Sequence, residues 1–266
     1  MLDVQFSQFS DPGRVRQENE DFLGSSLPGT PAEACARGWL FALADGVGGQ
    51  EGGEIASRAA VECLLAGFRE APTGEPYTAL LPRLLQTANA RVLEAGQAAS
   101  PTGLGMATTL VACALRFDRA VVAHAGDSRC YLIRRGRAAL LTRDHTIANE
   151  HIRLGLLSPE EAAEAPTRHL LSRSLGSELF VNVDTNEHQI QAGDVLVLCS
   201  DGLYVSLEPS EIAAVAGNDS DLLAAAQKLV AIANHRDGSD NISVQLIRVR
   251  SVERMGMYRG RPYRLP

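Results

Sequence analysis

The sequence has no Cys-x-x-Cys pair, little positive charge, and no apolar run approaching the roughly 18 to 20 residues that cross a bilayer. Each absence removes a class of function. The five cysteines, Cys35, Cys63, Cys113, Cys130 and Cys199, are odd in number, and Cys113, Cys130 and Cys199 lie in apolar strand-like runs, so they read as reduced core residues. With 25 basic against 32 acidic residues the net charge is −7, which argues against nonspecific nucleic-acid binding. No basic-then-apolar leader opens the chain and no membrane span is expected, which points to a cytoplasmic protein. Nothing suggests a second domain, and 266 residues with 45% hydrophobic and 21% charged content suit one globular domain with a large core.

What is present is a set of four aspartates, each beside a glycine or an asparagine at the polar end of an apolar run: Asp45-Gly46, Gly126-Asp127, Asp201-Gly202 and Asp240-Asn241. Such pairs are also ordinary turns. Four of them, delivered by strands far apart in sequence, gather carboxylates that repel. At about 4 Å two like charges cost roughly 1 kcal/mol in water and roughly 4 kcal/mol at an effective dielectric near 20. A fold that assembles them needs divalent cations among them, and hard oxygen ligands suit Mg²⁺ or Mn²⁺. Near the N-terminus Arg16 precedes the acidic pair Glu20-Asp21, placing a guanidinium fork suited to phosphate oxygens beside cation ligands.

Taken in order, Arg16-Gln17-Glu18-Asn19-Glu20-Asp21, Asp45-Gly46-Val47-Gly48-Gly49, Gly126-Asp127-Ser128-Arg129, Ser200-Asp201-Gly202-Leu203 and Asp240-Asn241-Ile242-Ser243 resemble the motif series of the PP2C (PPM) metal-dependent protein phosphatases. The match spans nearly the whole chain, and Gly-Val-Gly-Gly without a histidine resembles the bacterial branch. The resemblance implies that Asp45 bridges two Mn²⁺ or Mg²⁺ ions, that the Gly46 carbonyl binds one of them, and that Asp201 and Asp240 complete the other. It implies that Glu20 and Asp21 hold metal-bound waters or ligate the second ion, that Arg16 grips the substrate phosphate, and that Asp127 with Asp201 serves a weaker third metal. It implies direct attack of a metal-bridging hydroxide on phosphoserine or phosphothreonine, with no phosphoenzyme; consistently, no Cys-x5-Arg loop is present. One departure bears on the third metal: the family often has an aspartate four residues after that of Ser-Asp-Gly, and here that position is Val205. Gly48 and Gly49, lacking side chains, allow close backbone approach.

Alternating apolar and β-branched positions predict strands near 3–10, 37–44, 106–117, 119–125, 129–135, 180–190, 194–199 and 241–250. Helical spacing predicts an antiparallel pair over 54–68 and 77–99, separated by Gly67 and the Pro72-Thr73-Gly74 turn, and a second pair over 208–216 and 221–234, with Ser220 as a cap. Strands segregated from helix pairs give an α+β class. The resemblance sharpens this to a four-layer αββα sandwich, two central antiparallel sheets flanked by helix pairs. The expected organisation is one phosphatase domain over 1–250, with a flap over about 144–176, and an arginine-rich tail over 251–266. That tail is expected to fray from the last strand, or else to dock an acidic partner. Within the flap, His145 and His169 are placed where they could touch substrate, but the expectation is that they cap helices or bond to backbone, and neither is read as catalytic.

The function expected is a Ser/Thr protein phosphatase, monomeric, acting on phosphorylated proteins and opposing a bacterial Ser/Thr kinase. A silent phosphoprotein-binding pseudophosphatase on the same fold is the alternative, and it predicts missing ligands. A further possibility keeps the chemistry and changes the substrate, to an anti-sigma-antagonist-like protein or a forkhead-associated secretion component.

Overall fold

The computed structural model describes residues 2–47, 52–99 and 105–252, with the backbone of 255–258 and 261–264. Two five-stranded sheets, antiparallel at every pairing, face one another. One has the order β1 (Asp3–Asp11), β10 (Ile242–Ser251), β9 (Val195–Cys199), β6 (Arg129–Arg134), β7 (Arg137–Leu140). The other runs β2 (Asp21–Ser26), β3 (Trp39–Asp45), β4 (Leu110–Arg116), β5 (Arg119–Ala125), β8 (Asp184–Gln189).

Three apolar layers hold this together. Phe41, Leu43, Val111, Cys113, Leu196 and Ile247 pack between the sheets. Leu40, Ala42 and Ala44, the alternate residues of β3, face α2 (Gly53–Glu70) and α3 (Tyr77–Ala99) with Leu64 and Leu81. Because both faces of β3 are buried, its sequence is a continuous apolar run rather than an alternation. On the far side α7 (Pro209–Asn218) and α8 (Leu222–Arg236) cover β9 and β10 through Ile212, Leu229, Val197 and Leu246. This is the expected αββα sandwich.

Several local expectations are corrected. Strand β2, helix α1 (Pro31–Ala36) and strand β7 were not foreseen. The sequence of β2, Asp-Phe-Leu-Gly-Ser-Ser, has little β-propensity, and its extended form is set by pairing to β3. The strand expected over 180–190 starts only at Asp184, because residues 178–181 instead lie along α3, bonded by the side chains of Gln86 and Asn89. Gly67 does not break α2, which continues to Glu70; a Cβ there would lie 2.6 Å from Leu84 Cδ2, so the glycine lets α2 and α3 approach. The cap of α8 is Asp221, not Ser220: its carboxylate accepts from the Leu223 and Ala224 N–H groups, which stabilises by about 1 kcal/mol. All five cysteines are free, but only Cys113, Cys130 and Cys199 are buried; Cys35 on α1 is exposed and Cys63 half-buried.

The C-terminal segment does not simply fray. Strands β11 (Met255–Tyr258) and β12 (Arg261–Arg264) form a hairpin separate from both sheets, which satisfies backbone groups otherwise left to water. Among the described residues no helix is long and apolar enough to cross a membrane.

Candidate active site

At one end of the two sheets a cavity of about 510 Å³ is lined by Arg16, Asp45, Gly46, Asp127, Asp201 and Asp240, among others. Strand ends explain the convergence. Asp45 is the last residue of β3, and Asp21, the first of β2, is its partner across the antiparallel ladder. Asp127 follows β5 by two residues, Asp201 opens the short helix α6 (Asp201–Tyr204) after β9, and Asp240 precedes β10. A Cβ on Gly202 would lie 2.2 Å from the Asn241 carbonyl oxygen, so the backbones of the Asp201 and Asp240 motifs touch. Glu20 and Asp21 lie behind this wall rather than on it; Asp21 is buried, and its Oδ2 accepts a 2.7 Å bond from the Ser200 hydroxyl.

A set of neutral side chains holds these carriers. The Asn241 amide donates to the carbonyls of Pro12 and Glu18 and its oxygen accepts from the Glu20 N–H, at 2.8–2.9 Å, tying the Arg16 loop to β10. Thr109 accepts from the Asp45 N–H through its hydroxyl, which also bonds Ser128; Thr108 donates to the Asp45 carbonyl. Ser10 bonds Ser243 and accepts from Asn19. Sequence reasoning singled out Asn241, Ser243 and Ser200 only as letters of motifs and missed Thr108, Thr109 and Ser10. A Thr-Thr pair leading into a buried strand carries no distinctive pattern, so no sequence signal marks it.

The electrostatics are those of carboxylates crowded together and buried. Burial, then repulsion from Asp21, Asp201, Asp127 and Asp240, pushes the Asp45 carboxyl well above the usual range. Burial, with Asp201 nearby, pushes Asp21 and Asp127 each up to about 7, the Ser243 and Ser200 bonds to Asp21 only partly opposing this. Asp201 and Glu20 are raised as well, again chiefly by burial. Arg16 pairs with one of them directly: its Nη2 donates to Asp240 Oδ2 at 2.9 Å, both side chains being more than a third exposed. Asp21 Oδ1 is buried with no partner among the described residues. Orphaned carboxylate oxygen, hard donors and raised pKa values all fit divalent cations.

Residues 19–243 match the protein phosphatase 2C family model, which begins three residues after Arg16. The chain belongs to the protein phosphatase 2C family. It is therefore a protein phosphatase, a hydrolase. It is 34% identical to the serine/threonine phosphatase stp of Listeria innocua, the alignment covering 95% of this chain and 96% of the relative. Among solved structures it resembles the serine/threonine phosphatase of S. agalactiae, with 36% identity, a TM-score of 0.83, and 92% and 99% of the two chains covered. It also resembles the catalytic domain of the serine/threonine protein phosphatase PstP in complex with two manganese ions, with 32% identity, a TM-score of 0.76, and 94% and 100% covered.

In this member of the 2C family the segment after Asp144 carries helices α4 (Ile147–Arg153) and α5 (Pro159–Glu164), and its later part supplies Arg168, His169 and Leu171 to the cavity wall. His169 therefore borders the cavity, its Nε2 accepting from Arg168 Nε at 2.7 Å. His145 does not touch the cavity: it is fully buried and bonded to the backbone N–H of Gly126. Val205 lines the cavity and is 54% exposed, so a longer polar side chain has room there. Gly48 and Gly49 lie outside the described residues.

His124, His145 and Asp184 form a second polar cluster with donor atoms within 4.8 Å of one another. It does not suit a metal. The imidazole rings are stacked, 4.7 Å between centroids and 12° apart, so one ion cannot lie in both ring planes where the lone pairs point. Arg143 and Arg173 already neutralise Asp184, at 3.1 and 2.9 Å.

Proposed function

We propose that this protein hydrolyses phosphoserine and phosphothreonine in proteins with two divalent cations held by the cavity carboxylates. The observation that carries this is the concentration of buried carboxylates, raised in pKa and short of countercharge, around a cavity that also exposes a guanidinium. Bound Mn²⁺ or Mg²⁺ supplies acidified water as nucleophile and positive charge for phosphoryl oxygens.

Asp45 would hold both ions, with the Gly46 carbonyl at one of them, and Asp201 and Asp240 would hold the other. Glu20 and Asp21, behind the wall, suit bonds to coordinated water. Asp127, across from Asp201, suits a weaker third ion, a role that Val205 weakens. Arg16 orients the phosphate through the N–H groups it does not give to Asp240 and stabilises negative charge in the transition state. The two manganese ions in the PstP complex support the count of two.

The catalytic unit we assign to 1–250, with a flap at about 144–176 beside the cavity and a basic segment at 251–266. We place the protein in the cytoplasm as a monomer opposing a Ser/Thr kinase, a partner in keeping with the phosphatase activity. The pseudophosphatase alternative requires missing ligands, and Arg16, Asp45, Asp201 and Asp240 all line the cavity.

The test is phosphate release from a phosphothreonine peptide with Mn²⁺, with Mg²⁺ and with excess chelator. Release with metal and none with chelator is expected; no release with either metal, alongside retained phosphopeptide binding, would instead establish the silent module.

A further inference from the structure

His145 holds Gly126 from two sides. Its backbone N–H donates to the Gly126 carbonyl at 3.0 Å, and the Gly126 N–H donates to His145 Nδ1 at 3.2 Å. Gly126 needs such a grip: its φ is +109°, and a Cβ would lie 2.6 Å from the Thr109 side chain. The next residue is Asp127, on the cavity wall, and the one after, Ser128, is bonded to Thr109.

The bond to Gly126 also decides where the imidazole proton sits. Nδ1 accepts, so in the neutral ring the proton is on Nε2, which lies 3.2 Å from Arg173 Nη1 and 3.3 Å from Asp184 Oδ2; a guanidinium cannot accept, so the carboxylate is the acceptor for that proton. Burial, with His124 and Arg173 nearby, pushes the pKa of His145 down to about 4, so the ring is neutral near pH 7. Asp184 is fixed in turn by Arg143 and by Arg173, and Arg173 reaches Glu150 of α4 at 3.4 Å. The flap is rooted in the same residue: the Ser172 N–H donates to the His145 carbonyl at 2.8 Å.

We propose that His145 is a positioning residue: by accepting from Gly126 through Nδ1 while donating to Asp184 through Nε2, it fixes the Asp127 carboxylate at the cavity and joins it rigidly to the flap root. This rests on the assignment of Asp127 as a cation ligand. Orienting partners one step removed from a metal typically change its affinity 10–100-fold when lost. The effect here falls on the ion served by Asp127, not on the phosphate held by Arg16.

Two substitutions separate the two ring nitrogens. In His145→Asn the amide oxygen takes the place of Nδ1 and still accepts from Gly126. In His145→Gln the terminal amide takes the place of Nε2 and still donates to Asp184, but nothing accepts from Gly126. Calorimetric titration of the substrate-free full-length chain with Mn²⁺ is the readout, beside Asp127→Asn as reference. The expected result is that His145→Gln and Asp127→Asn weaken the same, weakest Mn²⁺ step by about tenfold, while His145→Asn stays within about twofold of wild type. If Asp127→Asn alters the titration and His145→Gln does not, or if both His145 variants lose affinity equally, the positioning role is wrong. If Asp127→Asn changes nothing, the ligand assignment is wrong and the proposal falls with it. Should the variants not fold, nitrogen NMR of the wild-type imidazole decides: a proton on Nε2 alone at pH 7 is required, and a proton on Nδ1 overturns the proposal.

Discussion

The cavity carboxylates and the His124–His145–Asp184 cluster lie at the two ends of one short stretch of chain, Asp127 being only three residues beyond His124. Both are polar and partly buried, yet they are opposite in electrical design. Around Asp184 each group has a partner of complementary character, two guanidiniums and an imidazole N–H, and its carboxyl is held below the usual range by the bonds it accepts despite burial. Around Asp45 the neighbours are more carboxylates, and burial together with their repulsion drives its pKa up. A buried charge surrounded by its complements is structure; one surrounded by its like suits a cation.

Neutralising one member of each cluster should sharpen this contrast most. Asp45→Asn is expected to lower turnover by about 10³-fold or more, since about 4 kcal/mol of barrier lowering is lost with the ions. In chelator the same variant should melt above wild type, because a repelled charge has gone, whereas Asp184→Asn should melt below it. Mn²⁺ affinity unchanged in Asp45→Asn, measured by calorimetry, would contradict its bridging role. Next in size, Arg16→Ala should cut kcat/KM about 10²-fold by removing a charged phosphate contact, with Mn²⁺ affinity retained; loss of metal binding would mean that Arg16 organises the ligands instead.

The neutral scaffold offers a third measure. Asn241→Ala removes three hydrogen bonds, at a cost of about 2–4 kcal/mol in urea unfolding. A cost below about 0.5 kcal/mol, the range of ordinary surface substitutions, would show that the Arg16 loop is held by something else.

Stability against pH tests the carboxylates directly. Asp21 and Asp127 are raised to about 7 in the folded protein, so between the ordinary carboxylate range and pH 7 the folded state keeps protons the unfolded chain has released. Stability without metal therefore falls as pH rises through that window, and melting in chelator should drop by about 5 °C or more from pH 5 to pH 8. Mn²⁺ should flatten the slope; the same slope with and without Mn²⁺ would place the ions elsewhere. The smallest effect belongs to Val205→Asp, expected to lower the Mn²⁺ concentration for half-maximal turnover by about two- to threefold through one added ligand. No change would remove the reason for attaching weight to Val205.

The site was more legible than its support. Asp45, Asp127, Asp201 and Asp240 were marked by glycine or asparagine at strand ends, a local pattern that a short stretch of chain carries whole. Thr108, Thr109 and Ser10 were invisible because their roles are bonds to residues up to 233 positions away. Likewise β2 was missed because its pairing to β3, not its own residues, makes it a strand. His145 was expected to bond backbone and does, but its partner, Gly126, is set by how β5 meets the flap root.

By itself the sequence determined the chemistry available: hard oxygen ligands, one guanidinium ahead of an acidic pair, and runs apolar enough for two buried sheets, all properties of residue type and short-range order. Only the tertiary structure decided which carboxylates are short of countercharge and which are neutralised. That distinction depends on distance and burial, and Asp127 and Asp184 differ in neither charge nor chemistry until the fold gives one of them two arginines and an imidazole.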